Sequence, residues 1–178
     1  MPNISPSSSR PVLRPLHAND LPALLRIQLA CYGHGFIENA EVYARRLASP
    51  LNCSLVCEID GQPCGYLAAY RSRHGKVTPL HGDFAGAHGE PDTLYLHDMA
   101  VLPSHAGRGL ARALLERMWA IGSAARLHRS ALVSVQDSQG YWARNGYTPQ
   151  PVHDAVERSR LASYGDGAVY MVRALSTR

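Results

Sequence analysis

Lysine is almost missing from this chain: of 18 basic residues, Lys76 is the only lysine. The arginines are dispersed, with no dense basic run and no aromatic interleaving, which argues against a nucleic-acid surface. No apolar run approaches the roughly 18 residues of a membrane span. A mean hydropathy of -0.19 with 46% hydrophobic residues reads as a soluble globular chain with no membrane partner. Met1 to Ser9 lacks the basic-then-apolar order of a signal peptide, and its Pro, Ser and Asn content reads as a disordered tail. A cytoplasmic location is therefore expected. The four cysteines, Cys31, Cys53, Cys57 and Cys64, include no CxxC pair. Free buried thiols in a reducing compartment fit this spacing, and neither a disulfide framework nor a metal site is expected.

What is present is one domain's worth of chain: 178 residues, expected to fold as a single unit over residues 10–178. The net charge of +4 suits an anionic small molecule. Residues 12–16 read as a first strand, followed by a helix capped by Asn19 or Asp20, with Leu21, Leu24, Leu25, Ile27 and Leu29 as its buried stripe. A break at Tyr32-Gly33-His34-Gly35 precedes a second helix over residues 39–47. Residues 54–59 and 64–70 form a hairpin about Asp60-Gly61. A long polar loop over residues 71–92 is followed by a strand over residues 93–101 and a helix over about 109–125. A buried strand (131–135), a short helix (138–145) closed by Gly146 and a last strand (169–175) complete a mixed α/β order.

The informative stretch runs from Val101 to Arg112, where Gly107-Arg108-Gly109 joins a strand to a helix. Such a loop presents successive backbone N–H groups with a helix dipole behind them, which suits a phosphate. It is not a dinucleotide fingerprint, because Arg112 replaces the third glycine and Arg129 stands where an acidic residue belongs. No Gly-Lys-Ser/Thr follows, so it is not a P-loop either.

The string YLHDMAVLPSHAGRGLARALL, Tyr95 to Leu115, resembles the acetyl-CoA signature of the GNAT acetyltransferase superfamily. That signature is a strand ending in apolar-Ala-Val-x-Pro, then Arg/Gln-x-x-Gly-x-Gly/Ala, then a helix. Gly109 and Ala111 match it, while Ala106 replaces the polar first position. A second segment, Ala131 to Val135 followed by Tyr141-Trp142-Ala143-Arg144-Asn145-Gly146-Tyr147, is similar to the family's later strand and aromatic helix end. The resemblance implies a mostly antiparallel, twisted sheet of about six or seven strands with about four helices and a splayed strand pair. It implies acetyl-CoA as co-substrate, with Gly107, Arg108, Gly109, Leu110, Ala111 and Arg112 at the pyrophosphate. Met99, Ala100 and Val101 would lie along the pantetheine arm, and Trp142 is also carried as a donor-binding residue. A homodimer is common in the superfamily and compatible with this sequence. His97, on a Leu-His-x-apolar-Ala-Val strand, is similar to the arylalkylamine acetyltransferase branch, with Tyr95 in place of a preceding histidine.

Acetylating an amine requires a neutral nitrogen, although alkylamines titrate near pH 10 by analogy with lysine. His97 is the leading base, since imidazole exchanges protons near neutral pH. Strand alternation puts Tyr95 and His97 on one face and Asp98 on the other. The family's tyrosine acid falls at Trp142, whose indole cannot serve, so Tyr141 or Tyr147 substitutes, or the thiolate leaves unassisted or through water. The acceptor site is expected around residues 32–36, the second helix and the 74–92 loop, with Glu38, Glu41 or Asp83 attracting a cation. The implied activity is direct N-acetyl transfer from acetyl-CoA to a small arylalkylamine- or polyamine-like primary amine. Protein or peptide acetylation, and a non-catalytic acetyl-CoA sensor, are the competing readings.

Overall fold

The computed structural model describes residues 10–84 and 89–176; the Met1–Ser9 tail lies outside the described residues. Strands β1 (Val12–Pro15), β2 (Leu55–Ile59), β3 (Gln62–Ser72), β4 (Thr93–Val101), β5 (Arg129–Ser134), β6 (Thr148–Pro149) and β7 (Val169–Ala174) form one sheet in the order β1-β2-β3-β4-β5-β7-β6. β4 and β5 run parallel, and the other described neighbours are antiparallel. The β2–β3 hairpin closes on Asp60-Gly61, both with positive φ (52° and 71°), as a two-residue hairpin with this twist requires.

Five α-helices cover the sheet: α1 (Leu21–Tyr32), α2 (Ala40–Ala48), α3 (Leu110–Ala124), α4 (Gln139–Arg144) and α5 (Ala155–Ala162). Leu110, Leu114 and Met118, four residues apart, bury the inner face of α3 against Leu67, Leu96 and Leu132. The opposite sheet face packs Tyr66, Tyr70 and Tyr95 against Leu24 and Ile27 of α1 and Tyr43 of α2. Each sheet face therefore has its own helical cover, leaving the C-terminal half of β4 between them.

Several local expectations change. Asp20 does not cap α1 through its side chain; its carboxylate accepts from the His17 amide at 2.8 Å and pairs with Arg14. Leu29 is 49% exposed and lies outside the stripe. α5 and β6 are additions to the elements read from the sequence, within the expected fold. α5 has no buried residue and therefore no apolar period to reveal it, although Asp154 caps it by accepting from the amides of Val156 and Glu157.

Candidate active site

The chain leaves β4 through a 3-10 turn at Pro103–His105 and enters α3 through Gly107 (φ 76°) and Gly109 (φ 75°). Both glycines are needed for backbone conformation, since a Cβ at either would meet nothing within 4 Å. The first α3 bond joins the Ala113 amide to the Gly109 carbonyl. Among the described residues, no backbone acceptor meets the amides of Gly107 through Arg112. These orphan donors, at the positive end of a 15-residue helix, form an anion cradle that fits a pyrophosphate. Of its side chains, Ala106 has no polar group to offer, the Arg112 guanidinium is paired with Glu116 at 2.6 Å, and Arg108 stands exposed in the loop.

Beside the cradle the sheet opens. The β4–β5 ladder runs from Thr93↔Arg129 only as far as Leu96↔Leu132, while β4 continues five residues further to Val101. Backbone freed on that side of β4 needs a partner, and a slot between two diverging strands fits an extended pantetheine chain. A cavity of about 290 Å³ lies at the split, with Tyr32, His97, Asp98, Met99, Tyr141 and Trp142 in its wall.

A β-bulge shapes this wall. Ala68 pairs with Asp98 and Ala69 with Leu96, so His97 is the extra residue. The bulge resets the alternation: Leu96 and Met99 pack on the α3 side, whereas Tyr95 and Ala100 pack with α1 and α2. His97, with its ring 5.8 Å from Phe84, and Asp98, bonded to Tyr43 and Tyr66, both face the α1/α2 side. The expectation that Asp98 points away from His97 is thus corrected. Strict alternation does not survive one inserted residue.

His97 is held from below. Its Nε2 lies 2.8 Å from Glu38 Oε2. Arg46 donates to both Glu38 oxygens at 2.6 Å, and the His81 amide adds a bond to Oε1 at 2.7 Å. The three side chains are 2%, 1% and 2% exposed for Glu38, Arg46 and His97. Gln28 of α1 fixes the glutamate's own backbone by bonding to both its N–H and C=O. Burial pushes the Glu38 carboxyl upward, but the bonds from His97 and Arg46 more than reverse this. They leave it well below the usual carboxylate range. An ionised carboxylate only accepts, so Nε2 of His97 carries the proton and Nδ1 holds the lone pair in the neutral ring. That Nδ1 is buried and has no partner among the described residues.

Asp98 has a different environment. Its Oδ1 accepts from the Tyr32 hydroxyl at 2.7 Å, and its Oδ2 from Tyr43 at 2.7 Å and from Tyr66. The Tyr32 hydroxyl also lies 2.7 Å from the Met99 carbonyl, tying α1 to the slot. Burial and then the Asp98 charge push all three phenols well above their ordinary range, so they remain neutral donors.

Of the sequence-predicted residues, His97, Met99, Tyr141 and Trp142 meet at the cavity, while Gly107 to Arg112 form the cradle. Ala100 is buried beneath the slot, and Val101 is half-buried at its end. Tyr95 is not in the cavity lining: it is buried, its ring 6.5 Å from that of His97 and its hydroxyl accepting from the Thr78 amide at 3.3 Å. Tyr147 is likewise enclosed, its hydroxyl taken by Trp119 at 3.0 Å and Ser130 at 2.7 Å. This leaves Tyr141 as the hydroxyl at the cavity from that helix. Of the three carboxylates expected near the acceptor, Glu38 lines the cavity, Asp83 pairs with Arg45 at the surface and Glu41 is exposed. Among the described residues no group of three His, Cys, Asp or Glu is placed to hold a metal, and no helix is long and apolar enough to cross a membrane.

The chain matches the model of the acetyltransferase (GNAT) family over residues 21–147. No curated protein matches it. Among solved structures it is similar to the ribosomal-protein-S18-alanine N-acetyltransferase from Escherichia coli. That pair shares 16% identity with a TM-score of 0.68, covering 95% of this chain and 96% of that one. The loading GNATL domain of CurA from Lyngbya majuscula gives 13% identity and a TM-score of 0.71, over 95% and 100% of the two chains. A GNAT family acetyltransferase from Brucella melitensis, in complex with acetyl-CoA, gives 21% identity and a TM-score of 0.61, over 94% and 90%. At these identities the likeness is one of fold. The family match, by contrast, takes in the amide cradle, the split strand pair and most of the cavity wall, and on that ground the chain belongs to the acetyltransferase (GNAT) family, N-acetyltransferases whose acyl donor is acetyl-CoA.

Proposed function

We propose that this protein transfers the acetyl group of acetyl-CoA directly to the primary amine of a small molecule. The observation that carries this reading is His97, a cavity-lining residue whose ring is fixed through Nε2 and whose buried Nδ1 has no partner among the described residues. An alkylammonium near pH 7 holds its proton in all but about one molecule in a thousand, so a positioned acceptor of that proton is required. His97 takes the proton at Nδ1. Glu38 and Arg46 are positioning residues that keep the ring in this tautomer and orientation.

The freed nitrogen attacks the thioester carbonyl carbon and a C–N bond forms; as the C–S bond breaks the nitrogen loses a second proton, which balances the one given to the departing sulfur. The Met99 backbone amide, at the mouth of the split, is the proposed donor to the carbonyl oxygen as charge grows there. Tyr141 is the proposed donor to the departing thiolate, because its hydroxyl is the one α4 brings to the cavity. Burial raises its phenol, with Arg112 acting in the opposite sense, so it holds its proton at neutral pH until a thiolate needs it. The four cysteines lie outside the cavity lining, and Cys53 and Cys57 are pushed up by burial to about 12. Direct transfer is therefore favoured over an acetyl-cysteine route.

The test is thiol release from acetyl-CoA across a panel of aryl- and alkylamines, polyamines and peptides with free N-termini. Release with small amines above the peptides is the expected result. Tight CoA binding with no thiol release from any acceptor would instead support a sensor.

A further inference from the structure

The cavity's charge balance identifies the acceptor more narrowly. Glu38 is neutralised by Arg46, so that pair contributes no net charge. Asp98 has no cation among the described residues: its three partners are the hydroxyls of Tyr32, Tyr43 and Tyr66. Among the described residues no lysine or arginine lines the cavity, whose remaining wall includes Phe36, Leu80, Leu96, Val133 and Tyr164. One uncompensated negative charge thus borders a mostly apolar, partly aromatic space whose further polar side chains include the uncharged Gln136 and Ser138. A carboxylate offers roughly four acceptor positions, and the phenols occupy three, leaving one on Oδ1. The second observation is the neighbouring residue: the His97 side chain is 2% exposed, lines the same cavity and has an unpartnered Nδ1.

We infer that Asp98 is the specificity-determining residue, binding the acceptor as a monocationic ammonium beside His97 Nδ1 and selecting apolar primary monoamines over amino acids and polyamines. The inference rests on the transfer reading above and narrows it. A free carboxylate on the acceptor would meet Asp98 with no cation to answer it. A second ammonium would be stripped of water with no unneutralised carboxylate to receive it, since Glu38 is already paired with Arg46. The amine is held by the carboxylate, gives its proton to the adjacent imidazole and leaves as the amide.

The test is an acceptor series on the unaltered protein: phenethylamine, phenylalanine, phenylalaninamide and spermidine. Phenethylamine should exceed phenylalanine in kcat/KM by about 100-fold, as expected when a like charge is forced close in a water-poor site. Phenylalaninamide, equal in bulk but without the charge, should recover most of that loss, and spermidine should be poor. Asp98→Asn should raise the phenethylamine KM by about 10- to 100-fold, the cost of losing a bond to a charged partner, with the acetyl-CoA KM unchanged. It should also largely abolish the preference for phenethylamine over phenylalanine. Equal use of phenethylamine and phenylalanine by the unaltered protein would overturn the inference, as would an undiminished preference in the variant. Calorimetry with phenethylamine in the presence of CoA separates the two claims. Asp98-dependent binding without turnover would sink the transfer reading alone, and turnover without charge preference would sink the inference alone.

Discussion

Replacing Glu38 by glutamine should strip the charge from the centre of the site while preserving its shape. Arg46 would then keep a guanidinium that is 1% exposed. Its remaining partners would be the single amide oxygen of the glutamine, the Gly82 carbonyl at 2.9 Å and the rings of Tyr43 and Phe84, at 5.1 and 5.0 Å from the guanidinium carbon. Removing one member of a buried pair typically costs about 3–5 kcal/mol, because the stranded charge has no water. Against a usual total of about 5–15 kcal/mol that is a large fraction. The pH dependence has a definite sign. Burial raises the Glu38 carboxyl, yet the bonds from His97 and Arg46 win and hold it below the usual range. The native state then binds fewer protons than the unfolded chain, whose glutamates titrate near pH 4.3. This contribution is fully present above that pH and is lost as pH falls through the lowered native value. Urea unfolding followed by circular dichroism at pH 7 and about pH 3.5 should show the deficit of Glu38→Gln shrinking at the lower pH. A deficit under about 1 kcal/mol at pH 7, or one equal at both pH values, would refute the argument. Adding Arg46→Met to Glu38→Gln should recover much of the loss, since an apolar side chain leaves no charge to strand.

Two further substitutions probe the donor side. Tyr141→Phe should lower kcat by about 10- to 100-fold with little change in the acetyl-CoA KM, below or within the range usual for loss of a general acid. Full turnover would assign thiolate protonation elsewhere. Gly109→Ala places a side chain at φ 75° and disturbs the amide cradle. The acetyl-CoA KM should rise about tenfold while the amine KM holds, given a backbone strain cost of about 1–3 kcal/mol. An unchanged acetyl-CoA KM would separate the cradle from donor binding.

The cradle was legible in the sequence because its chemistry is local. Two glycines, a preceding strand and a following apolar period all fall between Thr93 and Met118, and the observed β4 boundaries, Thr93–Val101, are those the apolar run implied. The other half of the site depends on contacts between distant segments. Glu38 meets His97 across 59 positions, and Asp98 gathers hydroxyls from α1, α2 and β3. No periodicity encodes such meetings. Asp98 takes the face that strict alternation denies it for a related reason: a bulge inserts one residue in the β3–β4 register and leaves the hydrophobic pattern on either side intact. Tyr147 and Tyr141 looked equivalent in sequence. Only the enclosed bonds of Tyr147 to Trp119 and Ser130 set them apart.

The most direct test is the pH–rate profile of His97→Gln with phenethylamine as acceptor. The kcat/KM at pH 7 should fall by about 10²- to 10³-fold, within the usual yield of a positioned base. The deficit should close as pH rises toward the amine's own value near 10, where free amine no longer needs a proton acceptor. The acetyl-CoA KM should stay constant throughout. A profile parallel to that of the unaltered protein, displaced by the same factor at every pH, would contradict His97 as the base and with it the proposed route of transfer.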